Sequence, residues 1–367
     1  MLPLDKKIVK ATTWIGLLGV LCYGYGFGQT IDEAIDELAV ESANAYAKPA
    51  VNAFAANLNS GWFTCAPNPV KKGFNLEFGI ISMGATLDKS EKHFSSSSVF
   101  RITSEQAATY IEKYVDDQDF ANAMVDVLLE QDLMLTLEGP TVVGSHAEDI
   151  IVRITPVDPE PVRVDHPDYP FAIYVDLPEE EQELDMGGLL NSFPLLPTAT
   201  PQLKIGTLYG TQAIFRYVPK IHLNDDFGDL KFQGLGLQHN LSVWFQNRPP
   251  VDVTLGFMKQ SMSVGDKVKF NSLAYGLNVS RIFGGDRWNI APFTGLLFES
   301  AEIKVHYSET IETEIGDQEI TLDAEMKAAN KSRFSLGFHA HLMFADLMFD
   351  YSISANNVMV AGLIFRM

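Results

Sequence analysis

Cysteine, basic residues and long apolar runs are all scarce in this chain, and each shortage excludes something. Of 367 residues only Cys22 and Cys65 are cysteines. If Cys22 leaves with a leader, no internal disulfide can form, even in an oxidising compartment. Lys and Arg number 27 against 47 Asp and Glu, for a net charge of -20. Such a chain repels a phosphate backbone, so nucleic acid is excluded as a partner. Past the first thirty residues no run of about eighteen apolar residues occurs, which excludes a spanning helix. The other structure that satisfies every backbone group in hydrocarbon is a closed barrel.

What is present points there. The start carries Lys6, Lys7 and Lys10, then an apolar stretch from Trp14 to Leu21 and the small-x-small end Gly26-Phe27-Gly28. That is the layout of a secretory signal peptide over residues 1–28, cleaved near Gly28. Lipidation at Cys22 is disfavoured by its bulky neighbours Leu21 and Tyr23.

At the other end Met359, Ala361, Leu363, Phe365 and Met367 share one face, and Val358, Val360, Gly362, Ile364 and Arg366 the other. A strand ending at the C-terminus with a wholly apolar face and an aromatic tip is how an outer-membrane barrel closes. Period two also governs 205–218 and 234–245. It predicts further strands at 251–262, 267–282, 289–306, 332–344, 347–354 and 357–367, joined by turn-like connectors. With the C-terminus in the periplasm, the long connectors 219–229 and 307–331 fall outside the cell and an even number of strands precedes 205–218. Residues 74–87 pair with 94–103 in this reading, and 133–139 with 147–155. The expected fold is an all-β transmembrane antiparallel barrel of about twelve strands, within a range of ten to fourteen.

Two regions break the alternation. Residues 31–59 read as helix interrupted at Pro49, which makes 29–73 a helical plug with Phe54, Leu58 and Trp62 as anchors. Residues 104–131 read as two helices, expected to fill the lumen or lie in the periplasm. The stretch 156–201, rich in proline and carrying the acidic run Glu179 to Asp185, reads as a loop or partly disordered insert. The barrel thus takes residues 74–367, with a helical and Pro/acidic insert at about 104–203.

Strand parity places Arg216, Gln238, Asn240, Ser242, Asp252, Asn278, His339 and His341 in the lumen, with Asp350. An inward charge avoids the roughly 2–4 kcal/mol that a basic side chain costs against mid-bilayer lipid. Arg216, Asp252 and Asp350 either select what passes or anchor the plug. His339 and His341 reach one point in space, but no third ligand is evident, so no metal is expected. Gln238-His239-Asn240-Leu241-Ser242 holds a His, Ser and Asn, yet alternation points His239 away from the others, so no catalytic relay and no enzyme is expected. The acidic run lacks the spacing of a calcium loop. Tyr209, Tyr217, Trp244, Phe245, Trp288 and Tyr351 suit aromatic girdles. No cofactor is expected.

Certain segments carry a resemblance: Tyr46-Ala47-Lys48-Pro49, Asn57-Leu58-Asn59-Ser60-Gly61-Trp62, Gly139-Pro140-Thr141-Val142-Val143-Gly144, Thr211 to Pro219, Gly236-Leu237-Gln238-His239-Asn240 and Pro250-Val251-Asp252-Val253. On these the chain resembles an uncharacterised family of gram-negative outer-membrane barrels, distantly similar to the long-chain fatty-acid transporters. That similarity implies a helical hatch inside a barrel of roughly fourteen strands, with apolar ligands leaving sideways through the wall. The functional expectation is a monomeric, porin-like protein of the outer membrane, in contact with its lipid, that passively transports or binds a small solute, apolar if the resemblance extends to the ligand. The alternative is a non-transporting envelope or surface protein acting through acidic external loops.

Overall fold

The computed structural model describes residues 29–88, 90–111, 118–164, 173–175, 179–184, 186–224, 228–285, 287–313 and 316–366. The expected signal peptide lies outside them. The chain divides into two compact units, one of Met1–Ala47, Ser90–Asn191 and Tyr307–Ala324, the other of Lys48–Lys89, Ser192–His306 and Glu325–Met367.

The second unit is built on ten strands: β1 (Lys72–Thr86), β2 (Leu195–Leu208), β3 (Thr211–Asn224), β4 (Gly228–Asn240), β5 (Asp252–Val264), β6 (Val268–Ser280), β7 (Trp288–Thr313), β8 (Ser332–Leu342), β9 (Ala345–Ile353) and β10 (Val358–Arg366). Each pairs antiparallel with the next, and β10 returns to β1 with Ile80 opposite Leu363, which closes the ring. Along every strand one face is apolar and exposed. Examples are Phe78 and Ile80 on β1, Leu235 and Leu237 on β4, Leu296 and Phe298 on β7, and Leu363 and Phe365 on β10. The opposite face is buried and largely polar, including Gln212, Arg216, Gln238, Asn240, Asn278, Glu299, Arg333 and Asp350. Apolar side chains outside and buried polar ones inside invert the pattern of a water-soluble barrel and mark a transmembrane one.

The two ends differ. The terminal end carries the start of β1, the finish of β10 and the β2–β3 turn. The distal end carries the excursion from Thr86 to Leu195, the β5–β6 turn and the long β7–β8 connection.

Ten strands is the lower bound of the expected range, and the count differs from twelve for two reasons. The stretch 205–218 is not one strand. It holds the hairpin turn Tyr209–Gly210, both residues at positive φ (47° and 67°). Because a two-residue turn sets Ile205 opposite Ala213, odd residues stay outside on both strands and the alternation runs through the turn unbroken. Conversely, 94–103 and 133–155 add no barrel strands. His93–Phe100, Leu133–Pro140, Ile150–Pro156 and Glu180–Leu184 make a separate four-stranded antiparallel sheet in the first unit. The two helices expected in 104–131 exist as Ser104–Ile111 and Gln118–Leu129. They share a core with that sheet, in which Ile111, Met124 and Leu128 meet Phe100, Leu135 and Leu137. The acidic run is thus partly a strand, and its Glu181 pairs with Arg153 at 2.9 Å.

The stretch read as a loop up to 201 also contains the first half of β2, with Pro197 and Pro201. Residues 195–208 pair with β1 along their length, but pairing with β3 is confined to Gln202–Leu208. Residues 195–201 are therefore a free edge on their β3 side, where a missing N–H costs no ladder bond. The result is a seam in the wall between β2 and β3 at the distal end.

Candidate functional site: a chain threaded through the lumen

Helix α1 spans Gln29–Leu58, with Pro49 inside it. Its second half, in the barrel unit, brings Val51, Phe54, Ala55 and Leu58 against Phe232, Phe270, Ala301 and Ile303 of the distal inner wall. The Phe54 and Phe270 rings meet edge to face at 5.4 Å. Asn52 Oδ1 accepts the backbone N–H of Ala329 at 2.9 Å.

A helix ends with carbonyls that lack partners, and inside a barrel water does not reach them freely. Two buried arginines take them. Arg333 donates to the Ala56 carbonyl at 2.9 Å and to Ser60 Oγ. Its charge is met by Glu299, with Nη2 2.7 Å from Oε2 and both side chains about 1% exposed. Arg216 donates to the carbonyls of Leu58 at 3.1 Å and Ser60 at 2.8 Å, and to Gln202 Oε1 at 2.9 Å. Its guanidinium also lies 4.0 Å from the centre of the Trp62 ring. Two cations at a helix C-terminus suit the sign of the helix dipole.

Gly61, at φ +67°, takes the left-handed conformation that follows the helix end. Trp62 then lies flat on a side-chain-free patch: a Cβ on Gly234 would stand 2.9 Å from its ring, and one on Gly236 3.1 Å. Ile214 and Met258 complete its surroundings. Onward the segment meets the terminal half of the barrel. Thr64 accepts from Lys204 Nζ, Cys65 lies 3.6 Å from Arg366 Nη2, and the Pro67 carbonyl accepts from Asn240 Nδ2 at 2.7 Å. The backbone N–H groups of Tyr209 and Gly210 donate to Lys71 and Val70 at 3.0 and 3.1 Å. The lumen beside this segment retains a cavity of about 10 Å³, lined by Asn59, Trp62, Asn278, Arg333 and Asp350 among others. That is about the space of one water molecule.

The residues expected in the lumen fall as follows. Gln238 donates to the Trp62 carbonyl at 3.4 Å, and Asn240 bridges Pro67 to Asp252 Oδ1 at 3.0 Å. Ser242 leaves the strand and sits in a short 3-10 helix, Leu241–Trp244, whose start Asn240 caps. Asn278 is buried with neither amide atom partnered, as are Gln212 and Gln260. His339 and His341 both bind Asp346, His339 at 3.1 Å, and Arg366 reaches the same carboxylate. A guanidinium there takes the place a cation would occupy, and among the described residues no group of three or more His, Cys, Asp or Glu suits a metal. Buried His339, Asp346 and Glu77, partly buried His341 and exposed Arg366 form one polar cluster at the terminal end. His239 points outward, where its ring accepts from Trp244 Nε1 at 2.8 Å beside the stacked Tyr209–Trp244 pair, an arrangement suited to an interfacial girdle.

Sequence reading missed Arg333, Glu299, Lys204 and Asn57. Arg333 and Glu299 share the inward parity of Ser335 and Leu297, so a search for opposite charges on lumen faces would have paired them. Lys204 lay one residue before the first strand read in that region, 205–218, and so was given no face. Asn57 is buried in the plug and donates to the Leu196 carbonyl at 2.6 Å, on the half of β2 that lacks a β3 partner.

The model of a family of unknown function, DUF6588, matches residues 6–367. No curated protein matches the chain. Among solved structures, the chain is similar to OmpT, an outer membrane protein of Vibrio cholerae, at 8% identity and a TM-score of 0.22, over 80% of this chain and 100% of that one. It is similar to the Escherichia coli outer membrane protease OmpT at 8% identity and a TM-score of 0.25, over 83% and 99%. Pseudomonas aeruginosa OpdQ follows at 9% identity and a TM-score of 0.14, over 81% and 97%.

Proposed function

As the chain belongs to that family, DUF6588, we propose that it is an outer-membrane barrel, closed along its axis, that binds a small apolar solute and passes it sideways through the wall. The observation that carries this reading is the seam. Beyond Gln202 and Arg216 the strands β2 and β3 are not paired. Pro197 and Pro201 cannot donate along that edge. An unpaired backbone edge is costly in hydrocarbon, so a seam that persists has to be covered by something other than lipid tails. Asn57 bonds Leu196 on the strand that borders it, which links the plug to the wall. On the outer, lipid-facing side of β9, β10, β1 and β2, Gly84, Pro197, Ala199, Phe349, Met359 and Ala361 help line a shallow open groove on the other flank of β2 from the seam. The tight fit of residues 59–65 argues against an open aqueous pore.

Cross-linking the seam tests this. The β2–β3 register, continued past its last pair Gln202–Arg216, would set Thr198 against Lys220. T198C/K220C joined by a short bis-maleimide should keep the heat-modifiable fold and lose uptake of a fluorescent long-chain fatty acid into vesicles. Uptake unchanged after complete cross-linking would remove the lateral route.

A second reading has its own observation. The excursion between β1 and β2 has a separate hydrophobic core, more than a connector requires, as a surface interaction module would. Replacing 90–191 by a short linker should abolish partner binding in that case and leave solute uptake intact in the first.

A further inference from the structure

The contacts of residues 52–71 occur in order along the barrel axis. Asn52 and Phe54 meet Ala329 and Phe270 near the distal end, and Asn57 meets Leu196, the second residue of β2 at that same end. Gly61 and Trp62 lie at mid-wall, where a Cβ on Gly61 would touch Ile81 and Val360. Thr64, Cys65 and Pro67 bind Lys204, Arg366 and Asn240. Lys71 meets the β2–β3 turn at the terminal end, and β1 begins at the next residue. The chain does not enter and leave by one mouth. It runs from end to end.

Length permits this. Residues 52–58 advance about 9 Å as helix and 58–71 up to about 43 Å extended. The sum exceeds the roughly 25 Å apolar band of an outer-membrane barrel.

We infer that the chain enters the lumen from the distal mouth at Lys48, so that the described residues before it, from Gln29 on, start from the cell surface. The step from distal to external rests on the proposed outer-membrane placement, in which both barrel termini and the short turns face the periplasm and the long connections face out. The Thr86–Leu195 excursion and the β7–β8 connection leave the barrel at this same end. The surface therefore presents three stretches of chain, the first having crossed the wall through its interior.

The test uses the full chain with Cys65→Ser. Two cysteine pairs read the path in purified protein: N52C/A329C at the distal end and K71C/Y209C at the terminal end, each with a short bis-maleimide. Both should cross-link. A terminal pair that links beside a distal pair that does not would overturn the threading. Single cysteines read the side in intact cells with an impermeant maleimide: E41C, D266C at the β5–β6 turn and N247C at the β4–β5 turn, all exposed positions. E41C and D266C should react in intact cells, and N247C only after permeabilisation. E41C behaving like N247C would overturn the inference and leave the barrel reading intact. N247C alone reacting in intact cells would overturn surface display by inverting the barrel. Equal reaction of all three would overturn both the display and the outer-membrane placement.

Discussion

Replacing Arg333 by methionine separates two jobs that this side chain performs. Arg333 and Glu299 are both about 1% exposed and 2.7 Å apart at Nη2 and Oε2. Removing one member of a buried pair strands the other's charge, at a typical cost of 3–5 kcal/mol, whereas replacing both by apolar side chains of similar volume is close to neutral. R333M should therefore lower the urea midpoint of the detergent-folded barrel by the equivalent of about 4 kcal/mol, and R333M/E299L should recover most of that loss. The second job is not recovered. The double variant still lacks the donors to the Ala56 carbonyl and Ser60 Oγ, so the plug is less firmly held in a barrel of near-normal stability. Planar-bilayer recording should show current from R333M/E299L where the parent is silent. The reasoning is refuted if R333M unfolds within about 1 kcal/mol of the parent, or if the double variant is no more stable than the single one.

Arg216→Met removes three hydrogen bonds to neutral acceptors and the contact with Trp62. At roughly 1.5–3 kcal/mol for a charged hydrogen bond, partly offset by the desolvation no longer needed, the net loss should be about 2–4 kcal/mol, read by the same urea titration. Leu237→Arg puts a charge on the outer face and should cost roughly 2–4 kcal/mol in lipid vesicles. The parent's heat-modifiable band should weaken, and a variant that inserts normally would contradict the membrane reading. In the first unit, burial pushes the Tyr46 hydroxyl up to about 12 from 10.0, while the hydroxyl donates to the Gly187 carbonyl at 3.2 Å. The folded state favours the neutral phenol, so this contribution is complete below pH 10 and falls away as pH rises toward 12. At about 1.4 kcal/mol per unit the loss is at most about 3 kcal/mol, and Tyr46→Phe should flatten the alkaline limb of a stability profile measured from pH 9 to 12.

Legibility followed the physics of each element. The eight strands from 211 onward were visible because a membrane barrel keeps its two faces chemically distinct, so Phe215 and Arg216 or Leu237 and Gln238 declare their sides locally. The hairpin at Tyr209–Gly210 was invisible because it preserves parity. The start of β2 was invisible because its prolines are strand breakers in general and are harmless here only through the absence of a β3 partner, which is a long-range fact. Lumen parity placed Gln238, Asn240, Asn278 and His339 on the buried face, but what each touches depends on the path of residues 59–71, which have no periodicity to read. The arginine clasps follow from that path. Nothing near Arg333 in the chain announces Ala56 or Ser60.

A seam is a pair of strand edges with vacant hydrogen-bonding positions, the kind of surface on which a second chain adds a strand and copies begin to polymerise. Two rings without N–H groups, four residues apart, deny an incoming strand its regular donors along 195–201. A wall can thus stay unzipped at this point while strand-to-strand fusion of neighbouring barrels through that edge is blocked.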